Sequence, residues 1–242
     1  MRPTRRARLA LRSRLLRRDG RPVAHFIHVE KAGGTAIKAA LRAAAAEPAA
    51  YHVVRHTHGV RVRDLPRADA FFFVVRDPLE RFVSGFLDRQ RCGRPRYHEP
   101  WTPEEAEAFA RFSTPDELGR ALGGTGSDRA AAVAAMRSIA HVRRPLTYWL
   151  DSVPALERCY ERILWIGLQE TLDETVPVLG RRLGLASLSL PADPVAANRA
   201  TGGERGLSGP AVEALTDWYR ADFELVAWCR SVAPQVGGSR SS

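Results

Sequence analysis

The sequence of 242 residues predicts an α/β fold of three layers, with a mainly parallel central sheet flanked by helices. Three stretches carry that reading, each an apolar run that stops at a polar turn and resumes with helical spacing. They are Ala24 to Lys38 (AHFIHVEKAGGTAIK), Phe71 to Phe86 (FFFVVRDPLERFVSGF), and Arg162 to Leu183, which opens with RILWIGLQET. Strands alternating with helices at this spacing are the pattern of a parallel sheet with crossover helices.

In the first unit the spacing predicts a strand at His25 to Val29, a Lys-x-Gly-Gly-Thr turn, and an alanine-rich helix from Ala36 to Glu47. Gly33 and Gly34 let backbone come close to an anion, the helix start adds N–H groups and partial positive charge, and Lys31 adds a full charge. Lys31 precedes the glycines, so the turn lacks the spacing of the ATP and GTP P-loop. In the second unit five β-favouring residues, Phe71 to Val75, read as a strand buried on both faces. Asp77 reads as an N-cap with Pro78 at the first helical position. Arg76 then stands at the carboxyl end of a parallel strand, the edge where open α/β sheets bind ligands.

Downstream, Thr102-Pro103-Glu104-Glu105 and Thr114-Pro115-Asp116-Glu117 are capping boxes that predict two short helices. A glycine-rich break at 123–127 precedes a helix from Asp128 to Ala140. Arg162 to Gly167 reads as a buried strand followed by a helix from Glu170 to Leu183, residues 185–209 as a loop, and Pro210 to Arg230 as one amphipathic helix. No repeat or linker interrupts the chain, and 45% hydrophobic content suits one core.

The two loops together resemble those of the sulfotransferases that use 3′-phosphoadenosine 5′-phosphosulfate (PAPS), specifically carbohydrate-type sulfotransferase family 2. Glu30-Lys31-Ala32-Gly33-Gly34-Thr35 matches that family's Pro-Lys-x-Gly-Gly-Thr loop, with Glu30 in place of proline. Arg76 and Ser84, eight positions apart, match its second motif. Ile163 to Thr171, Asn198 and Asp222 match weaker family features, and the likeness spans residues 23–230. The resemblance implies the P-loop-like version of the fold. It also implies a 5′-phosphosulfate site at Lys31, Ala32, Gly33, Gly34, Thr35 and Ala36, where Ala36 lacks the hydroxyl often found. A 3′-phosphate site at Arg76 and Ser84 follows from it too, with Lys31 catalytic. Residues 1–21 then form a basic tail, 22–232 the sulfotransferase domain and 233–242 a flexible C-terminal tail.

Transfer to a hydroxyl calls for a general base, and histidine suits neutral pH. His52, His56 and His58 lie between the two motifs; the resemblance favours His58, with His56 next, and plain loop hydrogen bonds are the alternative. His56 and His58, two apart, could face one side of a strand, but no third ligand sits at a metal-binding spacing, so no metal is expected. Arg81 reads as a helix-surface partner of Asp77 or Glu80. The segment with Asn198, Arg199 and Arg205 either closes over the nucleotide or is a solvated loop. Arg89, Arg91, Arg94, Arg96, Tyr97 and Trp101 mix cations and aromatics as a site for a glycan, glycolipid or other hydroxyl-bearing acceptor would, and as a solvated loop also would.

The formal charge of +10 suggests nucleic acid, but nine arginines and one aspartate put +8 of it in residues 1–21, so no nucleic-acid partner is expected. That tail is either solvated or a short amphipathic helix using Leu9, Leu11, Leu15 and Leu16 at an anionic membrane surface. No apolar run approaches a membrane span or a signal sequence. Cys92, Cys159 and Cys229, odd in number and widely spaced, suit reduced thiols. The expected location is cytoplasmic, with peripheral contact at the inner membrane surface through the tail, and the oligomeric state is left open. The competing functions are another P-loop-type nucleotide-dependent kinase and a non-catalytic protein that binds membrane or nucleic acid through the tail.

Overall fold

The computed structural model describes residues 4–95, 97–192 and 206–236. In chain order its main elements are α1 (Arg5–Leu16), β1 (Val23–Ile27), α2 (Gly34–Ala43), β2 (His52–Arg55), β3 (Ala70–Val75), α3 (Pro78–Gln90), α4 (Pro103–Arg111), α5 (Pro115–Gly123) and α6 (Gly126–Ser138). They continue with α7 (Thr147–Leu150), α8 (Val153–Glu157), β4 (Ile163–Leu168), α9 (Leu172–Leu183), α10 (Gly209–Trp218) and α11 (Arg220–Val232). The chain divides into two compact units, one of Met1–Arg76, Leu146–Asn198 and Leu225–Ser242, the other of Asp77–Pro145 and Arg199–Glu224.

The first unit holds the sheet, four strands in the order β2-β1-β3-β4, every pair parallel. All five β1 residues are buried, and so are β3 residues Phe71 to Val75, which explains why β3 reads as an unbroken apolar run and β1 as one broken only by His25. Alternate residues feed two cores. Ile27, Phe71 and Phe73 pack with Leu9 of α1, Trp149 and Leu150 of α7, Leu156 of α8 and Leu225 of α11. Phe26, Phe72 and Val74 pack on the other face with Ile37 of α2 and Val176 and Leu179 of α9. The sheet with a helical layer on each face is the three-layer α/β arrangement expected from sequence, and it has the P-loop-like form. Connections from β1 and β3 leave in opposite directions along the sheet, so the point between them is the topological switch where such folds bind ligands.

The second unit is helical, with Phe82, Phe86, Phe109, Leu118, Met136, Ile139 and Leu215 at its centre. Thr102 and Thr114 form both halves of their capping boxes, each hydroxyl accepting from the amide three residues on. The expected single C-terminal helix is two: the chain breaks at Tyr219, which is buried and donates its hydroxyl to the Val142 carbonyl at 3.1 Å. Arg81, expected on the helix surface, lies inside the second unit. It is 1% exposed, donates to the Arg144 carbonyl at 2.7 Å and pairs with Asp222 at 3.7 Å, which gives that aspartate a structural task.

Residues 1–21, set apart in sequence by their charge, supply α1 to the first unit, with Leu9 and Ser13 buried and Arg17 paired with Asp69. Asn198, Arg199, Arg205, Arg96 and residues 237–242 lie outside the described residues. No helix among the described residues is long and apolar enough to cross a membrane.

Candidate active site at the ends of β1 and β3

The chain leaves β1 through His28, Val29 and Glu30 and enters a loop made by two left-handed residues, Lys31 at φ 60° and Gly33 at φ 86°. Glycine takes that conformation freely and lysine only with strain, the kind of backbone that a functional loop retains. Gly33 is the N-cap of α2, and its carbonyl accepts from both Ala36 at 3.1 Å and Ile37 at 3.4 Å. That engages the Ala36 amide within the helix, so Gly34 and Thr35 carry the first-turn N–H groups that precede any helix carbonyl able to accept them. These amides and the helix dipole favour an anion at this end. Ala32 and Ala36, which the resemblance places at the same loop, are buried. Glu30, where the resemblance expects proline, is 5% exposed.

Arg76 follows β3 directly, next to β1 in the sheet, and donates from Nη1 to the Lys31 carbonyl at 3.4 Å. The guanidinium therefore braces the very residue whose backbone is strained. Past Arg76, Asp77 caps α3 by accepting from the amides of Leu79 and Glu80 at 3.0 and 3.1 Å, with Pro78 at the first position. Ser84 is 5% exposed on α3 and is described with the second unit.

The three histidines between the motifs have three different environments. His52 pairs with Asp19 at 2.8 Å. His56 is 6% exposed, and its Nε2 lies 2.8 Å from Nδ1 of His25, whose Nε2 lies 2.9 Å from the Asp69 carboxylate. The carboxylate only accepts, so His25 carries a proton on Nε2; with both rings neutral, His56 donates to His25. Burial above all, then the nearby His25, Arg12 and Lys38, pushes the His56 pKa down to about 3. Burial alone would raise Asp69, but hydrogen bonds from His25, Ser13 and Arg17 outweigh it and hold the carboxyl below its ordinary range.

His58 is placed otherwise. Its Nδ1 lies 3.2 Å from the His28 carbonyl, which can only accept, so the neutral ring carries its proton there and its lone pair on Nε2. Trp149 of α7 fixes the backbone by donating its indole N–H to the His58 carbonyl at 2.7 Å, and Arg5 of α1 bonds the next carbonyl, that of Gly59. The His58 ring packs on His28, centroids 3.9 Å apart. His28 in turn occupies the space of a missing side chain: a Cβ on Gly34 would come within 2.2 Å of its ring. The structure thus joins His58, His28 and the first turn of α2 in one contact chain. Sequence reasoning missed His28, Trp149 and Arg5; the one signal was a second glycine at position 34, where no left-handed conformation requires it. The rings of His56 and His58 turn to different partners, and among the described residues no group of three His, Cys, Asp or Glu is placed to hold a metal.

Of the cation and aromatic cluster after α3, Arg89 is 1% exposed and forms a two-pronged pair with Glu105 at 2.8 and 2.6 Å. It also donates to the carbonyls of Glu99 and Pro100, so it secures this segment and is not open to an acceptor. Burial alone would raise the Glu105 pKa, but Arg89 and the amides of Ala140 and Thr102 hold it below the ordinary value. Trp101 donates to the Arg89 carbonyl at 2.6 Å and packs on Phe109. Tyr97, whose phenol burial and Asp88 push up, donates to Asp88 at 2.7 Å.

The loop after β1 offers a cation, two helix-start amides and a glycine-made approach, the loop after β3 adds a guanidinium, and His58 carries a lone pair on a defined nitrogen. Such residues suit a phosphate- or sulfate-bearing ligand and proton removal from a hydroxyl. No curated protein and no solved structure gives a significant match to the chain. A family model described as "Sulfotransferase family" matches residues 15–226, across both motifs, and the chain belongs to that family, sulfotransferase family 2.

Proposed function

We propose that this sulfotransferase moves a sulfuryl group from PAPS to a hydroxyl of a saccharide or glycolipid, with His58 as general base. The observation that carries the reading is the left-handed loop of Lys31 and Gly33 at the start of α2, braced through the Lys31 carbonyl by Arg76. Transfer of a charged trigonal group in line between two oxygens needs positioning and charge stabilisation more than a covalent intermediate. In this reading the amides of Gly34 and Thr35 bind the 5′-phosphate. Lys31 neutralises negative charge growing on the oxygen that bridges phosphate and sulfate, and Arg76 takes the 3′-phosphate. His58 Nε2 accepts the acceptor's hydroxyl proton while Nδ1 stays bound to the His28 carbonyl, so the imidazolium that forms is already oriented.

With Arg89 committed to Glu105, the acceptor-side candidates are Arg91, Arg94, Tyr97 and Trp101, the last two 38% and 39% exposed. Aromatic faces suit sugar rings, and guanidinium groups suit acidic sugars. A cytoplasmic location is part of the proposal, supported by three thiols that form no disulfide.

Titration calorimetry with 3′-phosphoadenosine 5′-phosphate, without metal, tests the donor assignment. Wild type should bind, and Arg76→Ala should bind about 10- to 150-fold more weakly, the loss of about 1.5–3 kcal/mol expected for charged hydrogen bonds. A folded wild type that ignores this nucleotide would remove PAPS from the reading.

A further inference from the structure

We infer that α1 is a docking helix for an anionic membrane surface. Its inner face is committed to the protein: Leu9 and Ser13 are buried, Arg17 pairs with Asp69, and Arg5 reaches Gly59 and Asp64. The outer face is unlike that of an ordinary surface helix. Leu11 and Leu15, four residues apart and so on one side, are 61% and 46% exposed, two of the five large apolar side chains so exposed among the described residues. Arg8 and Arg12 flank them on one side, Arg14 and Arg18 on the other, and residues 1–18 contain no acidic side chain. All four of these arginines are exposed.

Two leucines between rows of cations are the arrangement of a helix that lies in the plane of a membrane, its apolar residues entering the acyl boundary while the guanidinium groups meet lipid phosphates. Nucleic acid would use the arginines and leave the leucines in water. Charge complementarity selects anionic lipid, and the leucines select a lipid surface over a soluble polyanion. Arg5 ties the same helix to the loop that follows His58, so a helix held at a membrane holds that loop there as well.

The inference is independent of the donor chemistry. It is tested by sedimenting the full chain with phosphatidylcholine vesicles and with vesicles that also contain phosphatidylglycerol, at near-physiological salt. Binding is expected only to the anionic vesicles. The double variant Leu11→Ser/Leu15→Ser should lose about tenfold or more in affinity, and Arg14→Glu/Arg18→Glu should abolish binding, each with thermal unfolding unchanged. A folded wild type that ignores anionic vesicles overturns the proposal. So does a serine variant that binds as tightly as wild type, and so does equal binding to duplex DNA that the leucine changes do not affect.

Discussion

His56→Gln should flatten the acid side of the stability curve. The histidine is buried and neutral, with a folded pKa near 3 against 6.5 for the free side chain. A base whose folded pKa is depressed gives its full stability above the unfolded value and loses it as pH falls toward the folded value, because the unfolded chain takes up the proton first. From the two pKa values, the wild-type protein should lose about 0.8 kcal/mol by pH 6 and about 2 kcal/mol by pH 5 through this residue alone. Glutamine can still donate to His25 Nδ1 but does not titrate, so the variant should lack that slope whatever its stability at pH 8. Asp69 and Glu105, both held below their ordinary values, add losses that begin only in the carboxylate range, at lower pH. Urea unfolding by circular dichroism at about pH 8, 6.5, 6 and 5 gives both curves. Wild-type and variant profiles with the same pH dependence over that range would refute the buried-neutral assignment and, with it, the proton arrangement along Asp69, His25 and His56.

Gly34→Ala places a methyl within 2.2 Å of the His28 ring, which must move; affinity for 3′-phosphoadenosine 5′-phosphate should fall about tenfold or more with far-ultraviolet dichroism unchanged, and unchanged affinity would count against the contact chain. His58→Gln should lower turnover with a saccharide acceptor by about 10²- to 10⁴-fold while nucleotide affinity stays within a factor of two or so; full turnover in the variant would remove His58 as the base. Asp222→Ala leaves Arg81 buried without its carboxylate and should cost about 3–5 kcal/mol in urea unfolding, and a cost under about 1 kcal/mol would show that Arg81 rests on the Arg144 carbonyl instead.

Much of the central sheet was legible because its signals are local. Five apolar residues before Arg-Asp-Pro mark β3 and the start of α3, and a hydroxyl, a proline and a glutamate at fixed offsets mark α4 and α5. The turn between β1 and α2 was legible for the same reason, since Lys31 and its glycines lie within five residues. What stayed hidden depends on partners distant in sequence. Arg81 looked like a surface residue because Asp222 is 141 positions away, and Arg89 looked like a ligand because nothing near it announces Glu105 as its partner. His56 and His58 are indistinguishable by spacing, yet one faces His25 across the sheet and the other turns to His28, a choice made by tertiary packing. The break between α10 and α11 escaped notice because Tyr219 is an acceptable helix residue; its buried hydroxyl bond to Val142, not its propensity, accompanies the interruption.

The loops that carry Lys31 and Arg76 follow neighbouring strands, β1 and β3, and the distance between those strands is set by backbone hydrogen bonds at about 4.8 Å, whatever the side chains are. The starting points of the two loops are thus placed by a dimension common to every sheet. Drift in the helical segment from Asp77 to Pro145 can exchange one set of surface residues for another without resetting that ruler. Substitution elsewhere on the surface can therefore proceed while the two loops keep their starting points.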